Sequence, residues 1–383
     1  MKNINFKNEN KFIKVIDPWH EFNYVKGMEE SKESLLKTYK KITKFPLPPR
    51  VINNSNSEIV VIGVATFFRL SSELKNKSHV VLRPKDLFRY TSHLFKFFKN
   101  FTLDLRIYKN IYKQLIKNNK TEYEYIKKIL LDLNPRILII SSTIDPVQRI
   151  WAFWARNIGI KIICIQHGVF SSLSAPELLE RNIVDYYFSF CEKQSKLIEQ
   201  IIPANKHRYL YSEGLFNYKI PKSKKIRLCL IGTDHERYGS KGKKNKLSVI
   251  KIYEQLIRLI WSNLKFEYEI FYKRHPSEEL IGKIEDYVKI VQNNKLDSID
   301  IFFGVASTKL LNLASQNRCA IQIRSKDFPQ DKYENYNFCK TIELEEIKKN
   351  GFRFLHQDTL AIPCLKKNNF NENLIKILNK LKD

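Results

Sequence analysis

Glycine and proline are scarce, at 11 and 13 of 383 residues, which excludes a collagenous or linker-like chain. Cysteine is scarce too: Cys164, Cys191, Cys229, Cys319, Cys339 and Cys364 are scattered with no CxxC pair. A disulfide scaffold and a structural zinc site are therefore not expected, and a reducing cytoplasm suits the composition. No run approaches the roughly 18 consecutive apolar residues of a membrane span. Met1 to Lys14 is rich in Asn and Lys and lacks the apolar centre of a secretory signal. A GxxxxGK[ST] loop and an HExxH pair are absent, and Asp297 and Asp300 have the wrong spacing for a DxD pair. These gaps disfavour a P-loop kinase and leave metal-independent transfer, with no cofactor, as the simpler expectation.

What is present is apolar bulk and positive charge. Hydrophobic residues make up 43% and aromatics 13%, enough for two ordinary domains with real cores. Lys and Arg total 67 against 40 acids, a net charge of +27, which implies an anionic partner: nucleic acid, a phospholipid surface or an acidic substrate.

Short apolar runs alternate with helical stretches. Residues 58–65 (EIVVIGVA), 136–142 (RILIISS), 161–166 (KIICIQ) and 185–190 (DYYFSF) read as buried strands. Between the second and third, 146–158 is apolar at Val147, Ile150, Trp151 and Trp154. That is helical spacing, with Pro146 at the first turn and Asp145 as the cap. Strand, helix and strand at this spacing make a βαβ unit in a parallel sheet. The polar stretch 217–225 (NYKIPKSKK) reads as an interdomain linker. The pattern then restarts: strands at 225–231, 266–272, 299–303 and 319–323, a basic loop at 237–246, and helices at 247–264, 307–315 and 370–381. The expected fold is therefore α/β. Residues 1–218 and 219–383 form two facing Rossmann-like domains across a deep cleft, the last helix being free to pack back on the first.

Ligands in such sheets bind beyond the carboxyl ends of strands, so the strand-end loops carry the candidates. Lys273, Arg274, His275 and Pro276 form one. Two cations and a histidine suit a phosphate, and Pro276 stiffens the turn. The alternative is a basic surface turn. Ser307 and Thr308 open a helix, where hydroxyls and free N–H groups either bind an anion or simply cap the helix. His167 follows a strand and precedes Gly168, whose freedom permits a tight turn. It is either a base for an acceptor hydroxyl or a loop-shaping residue. Gln166, Gly168, Ser171 and Ser172 are assigned to the acceptor side, although the serines equally suit a cap. Glu213 is either a base or an exposed turn carboxylate. Gly232 and Thr233 mirror a phosphate loop without the dinucleotide fingerprint. Glu278 and Glu279 either reach a ribose or complement a helix dipole.

The ordered set of Gln166-His167-Gly168, His275-Pro276 and Ser307-Thr308 on two α/β halves resembles bacterial GT-B glycosyltransferases of surface-polysaccharide synthesis, most closely the sialyltransferases and capsule polysialyltransferases. His275-Pro276 matches their HP motif and Ser307-Thr308 their Ser/Thr motif. Gln166-His167-Gly168 stands where they carry two acids and a glycine. The resemblance implies a GT-B fold and an inverting, metal-independent transfer of sialic acid or a related ulosonic acid from a CMP-sugar to a glycan or lipid-linked acceptor. The second domain holds the nucleotide through Gly232, Thr233, Lys273, Pro276, Glu278, Ser307 and Thr308. His275 and the hydroxyls meet the leaving phosphate, and His167, with Glu213 as a second candidate, serves as base. The expected location is cytoplasmic, with capsule or lipopolysaccharide as the product; the basic stretches 219–227 and 237–246 and the last helix either dock on the inner membrane face or form a solvated lysine-rich surface. Rival readings are a CDP-glycerol or CDP-ribitol phosphotransferase, a UDP-, GDP- or dTDP-sugar transferase, and, from charge alone, a nucleic-acid-binding protein. The last lacks any interleaved aromatic pattern, so no nucleic acid is expected.

Overall fold

The computed structural model describes residues 58–62, 78–81, 101–102, 124–141, 146–166, 169, 184–198, 207–221, 225–233, 239–263, 267–275, 278, 284, 286–367 and 370–380. They fall into two compact units. The first takes the described residues up to 166, those from 184 to 210, and 370–380; the second takes 211–367 and Val169.

The first unit is built on seven parallel strands: β1 (Ile59–Ile62), β2 (Ser78–Val81), β3 (Phe101–Thr102), β4 (Ile137–Ile140), β5 (Lys161–Ile165), β6 (Tyr186–Ser189) and β7 (His207–Tyr209). Their spatial order is β3-β2-β1-β4-β5-β6-β7. Every residue of β1 and β4 is buried, as a sheet covered on both faces requires. Three helices lie between strands: α1 (Glu124–Leu133), α2 (Pro146–Asn157) and α3 (Glu192–Ile198). The α2 helix starts at Pro146, whose missing N–H falls where no intrahelical acceptor exists. It stops at Gly159, held at φ +86°. There Gly159 N–H donates to Arg156 C=O at 3.1 Å and Ile160 N–H to Ala155 C=O at 2.8 Å, a Schellman closure that favours glycine.

The second unit holds a six-stranded parallel sheet: β9 (Lys225–Ile231), β10 (Glu267–Lys273), β11 (Lys289–Ile290), β12 (Ile301–Gly304), β13 (Cys319–Arg324) and β14 (Lys340–Glu343), in the order β11-β10-β9-β12-β13-β14. Its helices are α4 (Gly239–Asn263), α5 (Thr308–Ala314) and α6 (Leu344–Asn350). Beside it lies an antiparallel ribbon of β8 (Tyr211–Lys219) and β15 (Thr359–Lys367), paired along nine residues each. A last helix, α7 (Phe370–Lys380), groups with the first unit and buries Leu374, Ile377 and Leu378.

Both strand orders start at the centre, run outward on one side and then switch to the other. That is the doubly wound topology of dinucleotide-type sheets, whose ligands sit at the switch beyond the strand ends. The chain is α/β, and both units are Rossmann-like. The expected boundary at 218/219 is corrected to 210/211. Residues 211–219 are not the end of the first domain or the start of a linker but a full strand, because their backbone groups pair with β15. Helix α4 begins at Gly239, so most of the expected basic loop at 237–246 is its first two turns. All six cysteines are free and buried. Among the described residues no helix is long and apolar enough to cross a membrane.

Candidate functional site

The switch point of the second unit lies between β9 and β12. Register places Lys273, Ile231 and Gly304 level across β10, β9 and β12. The next residues outward are therefore Arg274 and His275, Gly232 and Thr233, and Val305 to Ser307. Gly232 N–H donates to Lys273 C=O at 2.8 Å, carrying the pairing one residue beyond the strands.

Under this edge sits a buried polar network. Glu278 is fully buried at its side chain, as is Lys246 of α4, and the two form an ion pair. The Tyr272 hydroxyl donates to Glu278 Oε1 at 2.6 Å, and His275 N–H donates to Oε2 at 2.8 Å. Lys246 Nζ also donates to Thr233 C=O at 3.2 Å. Tyr253 donates its hydroxyl to Ile231 C=O at 2.6 Å and accepts from Val305 N–H at 3.3 Å, tying β9 to β12. The network fixes the turn carrying His275 and the loop carrying Gly232 and Thr233 against one another.

Gly232 is required by space. A Cβ there would meet the Glu278 carboxylate and lie 2.9 Å from both His275 N and the Tyr272 hydroxyl. Gly232→Ala is expected to cost roughly 1–3 kcal/mol, the range for overpacking. A lowered denaturation midpoint at unchanged slope in urea is the measurement that checks it.

The upper side of this edge is positively charged and incompletely satisfied. Thr233 is 3% exposed, and its hydroxyl has no hydrogen-bond partner. Lys273 is half-buried at the end of β10, with Nζ donating to Arg274 C=O at 2.6 Å. Lys309, in the first turn of α5, is half-buried. Burial pushes the Lys273 ammonium below its ordinary range, and the Lys309 charge adds to the push; burial alone lowers Lys309. Two ammonium groups whose charges oppose one another thus stand at this strand-end edge, the kind of donors an anion would relieve.

The sequence-derived candidates divide. Gly232, Thr233, Lys273 and His275 come together here. Ser307 stands at the same edge, but its hydroxyl caps α5 by accepting from Lys309 N–H at 3.3 Å. Thr308 is the first residue of that helix. The expected ribose contact of Glu278 is corrected: its carboxylate is turned inward and occupied by Lys246, Tyr272 and the His275 backbone. Glu213 lies exposed on β8, not in a turn, and accepts from Asn337 Nδ2 at 2.6 Å. Gln166 is buried at the end of β5, donating to Gln194 Oε1 at 2.9 Å and accepting from Phe190 N–H at 2.8 Å. Its amide joins β5 to the start of α3, a structural task in place of the expected acceptor contact. His167, Gly168, Ser171, Ser172, Pro276 and Glu279 lie outside the described residues, as does Asp145. Among the described residues no group of three or more His, Cys, Asp or Glu could hold a metal ion.

Two site residues escaped the sequence reading. Lys309 directly follows Ser307-Thr308 and was legible as the next residue of that loop. Lys246 has a subtler signature: it shares helical spacing with the buried Val249, Ile250 and Tyr253, a lysine on an apolar face that must be paired.

No family model matches the chain, and no curated protein matches it significantly. Solved structures give distant likenesses. UDP-GlcNAc 2-epimerase from Neisseria meningitidis bound to UDP-GlcNAc is 11% identical over 84% of this chain and 98% of that one, at a TM-score of 0.47. The lipopolysaccharide outer core galactosyltransferase WaaB, in its apo form, is 14% identical over 69% and 80%, at 0.40. The glycotransferase of kitacinnamycin is 10% identical over 85% and 95%, at 0.44.

Proposed function

We propose that the chain is a glycosyltransferase whose second unit holds the phosphate of a nucleotide-sugar donor at the β9/β12 switch point. The observation that supports this reading is two half-buried lysines, Lys273 and Lys309, whose charges act on one another at the strand-end edge that also carries the buried, unpartnered hydroxyl of Thr233. Charge developing on a leaving phosphate is stabilised best by donors fixed before the reaction. The Lys246–Glu278–Tyr272 network supplies that fixation from beneath. In this proposal His275 acts on the leaving phosphate, and Ser307 and Thr308 stand beside it. His167 removes the proton from the acceptor hydroxyl as it attacks the anomeric carbon, giving inversion. The donor suggested by the HP and Ser/Thr motifs is a CMP-linked sialic or ulosonic acid. The acceptor is a capsule or lipopolysaccharide glycan, free or lipid-linked, met in the cytoplasm. Neither a metal nor another cofactor enters the proposal.

The deciding experiment incubates the full chain with CMP-, CDP-, UDP-, GDP- and dTDP-linked donors and measures which nucleotide is released. CMP supports the proposed donor, whereas another nucleotide keeps the transferase and replaces the donor. Release of none, with no thermal stabilisation by any nucleotide, overturns the reading. His275→Ala is expected to abolish release while leaving the thermal transition within a few degrees of wild type. Near-normal turnover would remove His275 from the mechanism.

A further inference from the structure

Apart from Lys246, the inward face of α4 is largely apolar, but its outward face is not uniformly polar. Lys244, Leu247, Lys251, Arg258 and Trp261 are all exposed, and their spacing by threes, fours and sevens sets them in one sector of the helix. Leu247 and Trp261 are 49% and 47% exposed, two apolar anchors separated by about 21 Å of helix. Tyr287 packs edge-on against Trp261 at 5.1 Å and is itself 46% exposed. Ile290, on the edge strand β11, is 47% exposed. Six large apolar side chains are this exposed among the described residues, and three of them, Leu247, Trp261 and Tyr287, lie on α4 or against its last turn, the others being Leu131, Leu215 and Ile290. The cations interleave with the anchors. The acid in the same sector, Glu254, is half-buried, and Asp286 stands beside Tyr287.

We propose that this face of α4 lies on an anionic lipid bilayer. Trp and Tyr rings settle at the headgroup level, apolar body inward and polar edge outward. A helix lying in the plane inserts its apolar side chains while its lysines and arginines meet anionic headgroups. A second copy of the chain is a poorer occupant, because a net charge of +27 sets like-charged faces against each other. A nucleic acid would engage the cations and leave Leu247, Trp261 and Tyr287 in water.

The experiment floats the full chain with vesicles of phosphatidylcholine and phosphatidylglycerol, and with phosphatidylcholine alone. Flotation is expected with the anionic vesicles only. Each cation at such a surface changes partitioning roughly fivefold, so K244Q/K251Q/R258Q is expected to lower it roughly 100-fold. Leu247→Ser with Trp261→Ser is expected to lower it at least about tenfold, because apolar area no longer enters the acyl boundary. Circular dichroism and the melting temperature establish that both variants remain folded. The proposal is overturned if the wild type does not float, if it floats equally with neutral vesicles, or if either folded variant floats like the wild type. It is equally overturned if this face instead supports a dimer, or an RNA complex that excludes the vesicles.

Discussion

Lys246→Met is expected to destabilise the second unit by about 3–5 kcal/mol, the range for removing one partner of a buried ion pair. The reason is what remains. Glu278 is fully buried at its side chain, and without the ammonium its negative charge faces only the Tyr272 hydroxyl and the His275 N–H. Burying a charge so incompletely compensated is costly, and the group relieves it by taking up a proton or by pulling the turn apart. Chemical denaturation of the unit reads the loss directly. The double variant Lys246→Met, Glu278→Leu removes both charges and should recover much of the stability, since an apolar pair of similar volume can replace a buried ion pair. A single variant as stable as wild type would show that the pair is not closed in solution.

Lys273→Ala and Lys309→Ala are each expected to weaken nucleotide binding by about 1.5–3 kcal/mol, roughly 10- to 150-fold, the range for a hydrogen bond to a charged group. The two should also flatten the dependence of binding on salt. Isothermal titration with the nucleotide released in the donor panel measures both. The pH dependence has a definite sign. In the free protein both ammonium groups are held below the ordinary lysine value of 10.5, by burial and, for Lys273, by the neighbouring charge. An arriving phosphate favours the charged forms, so binding takes up protons once the pH exceeds the depressed values. Affinity is therefore greatest below them and falls as pH rises through them, earlier than for an ordinary lysine. Unchanged affinity in both variants would place the phosphate elsewhere and remove the observation on which the transferase reading rests.

How much of this was readable from residues alone depended on whether the signal was local. Strand β9 was legible to the residue, because KIRLCLI is an apolar run bounded by a basic stretch and a Gly-Thr turn. Elements β5, β13 and α2 were legible to within one residue at their ends, because their patterns are complete within about a dozen residues. The site edge was legible because strand ends in a parallel sheet are where loops converge. Long-range pairing was not legible. The ribbon strand β8 exposes alternate residues, and its partner lies about 150 positions away, so nothing nearby marks it as a strand. Lys246 looked like one more member of a solvated basic loop, since its partner Glu278 lies 32 positions further on and on a different element. Short strands such as β2, β3, β7 and β11, of two to four residues, offer too little periodicity to read. Glu278 illustrates the converse error: a carboxylate after a histidine turn looks outward-facing until a buried cation claims it.

The ribbon has a consequence for biosynthesis. The polypeptide departs from the first unit at Leu210, builds the whole of the second, and returns only with α7. Both strands of the β8–β15 ribbon, and all of the second unit, are therefore synthesised before α7. The buried Leu374, Ile377 and Leu378 join the first unit only after every residue of the second has been synthesised.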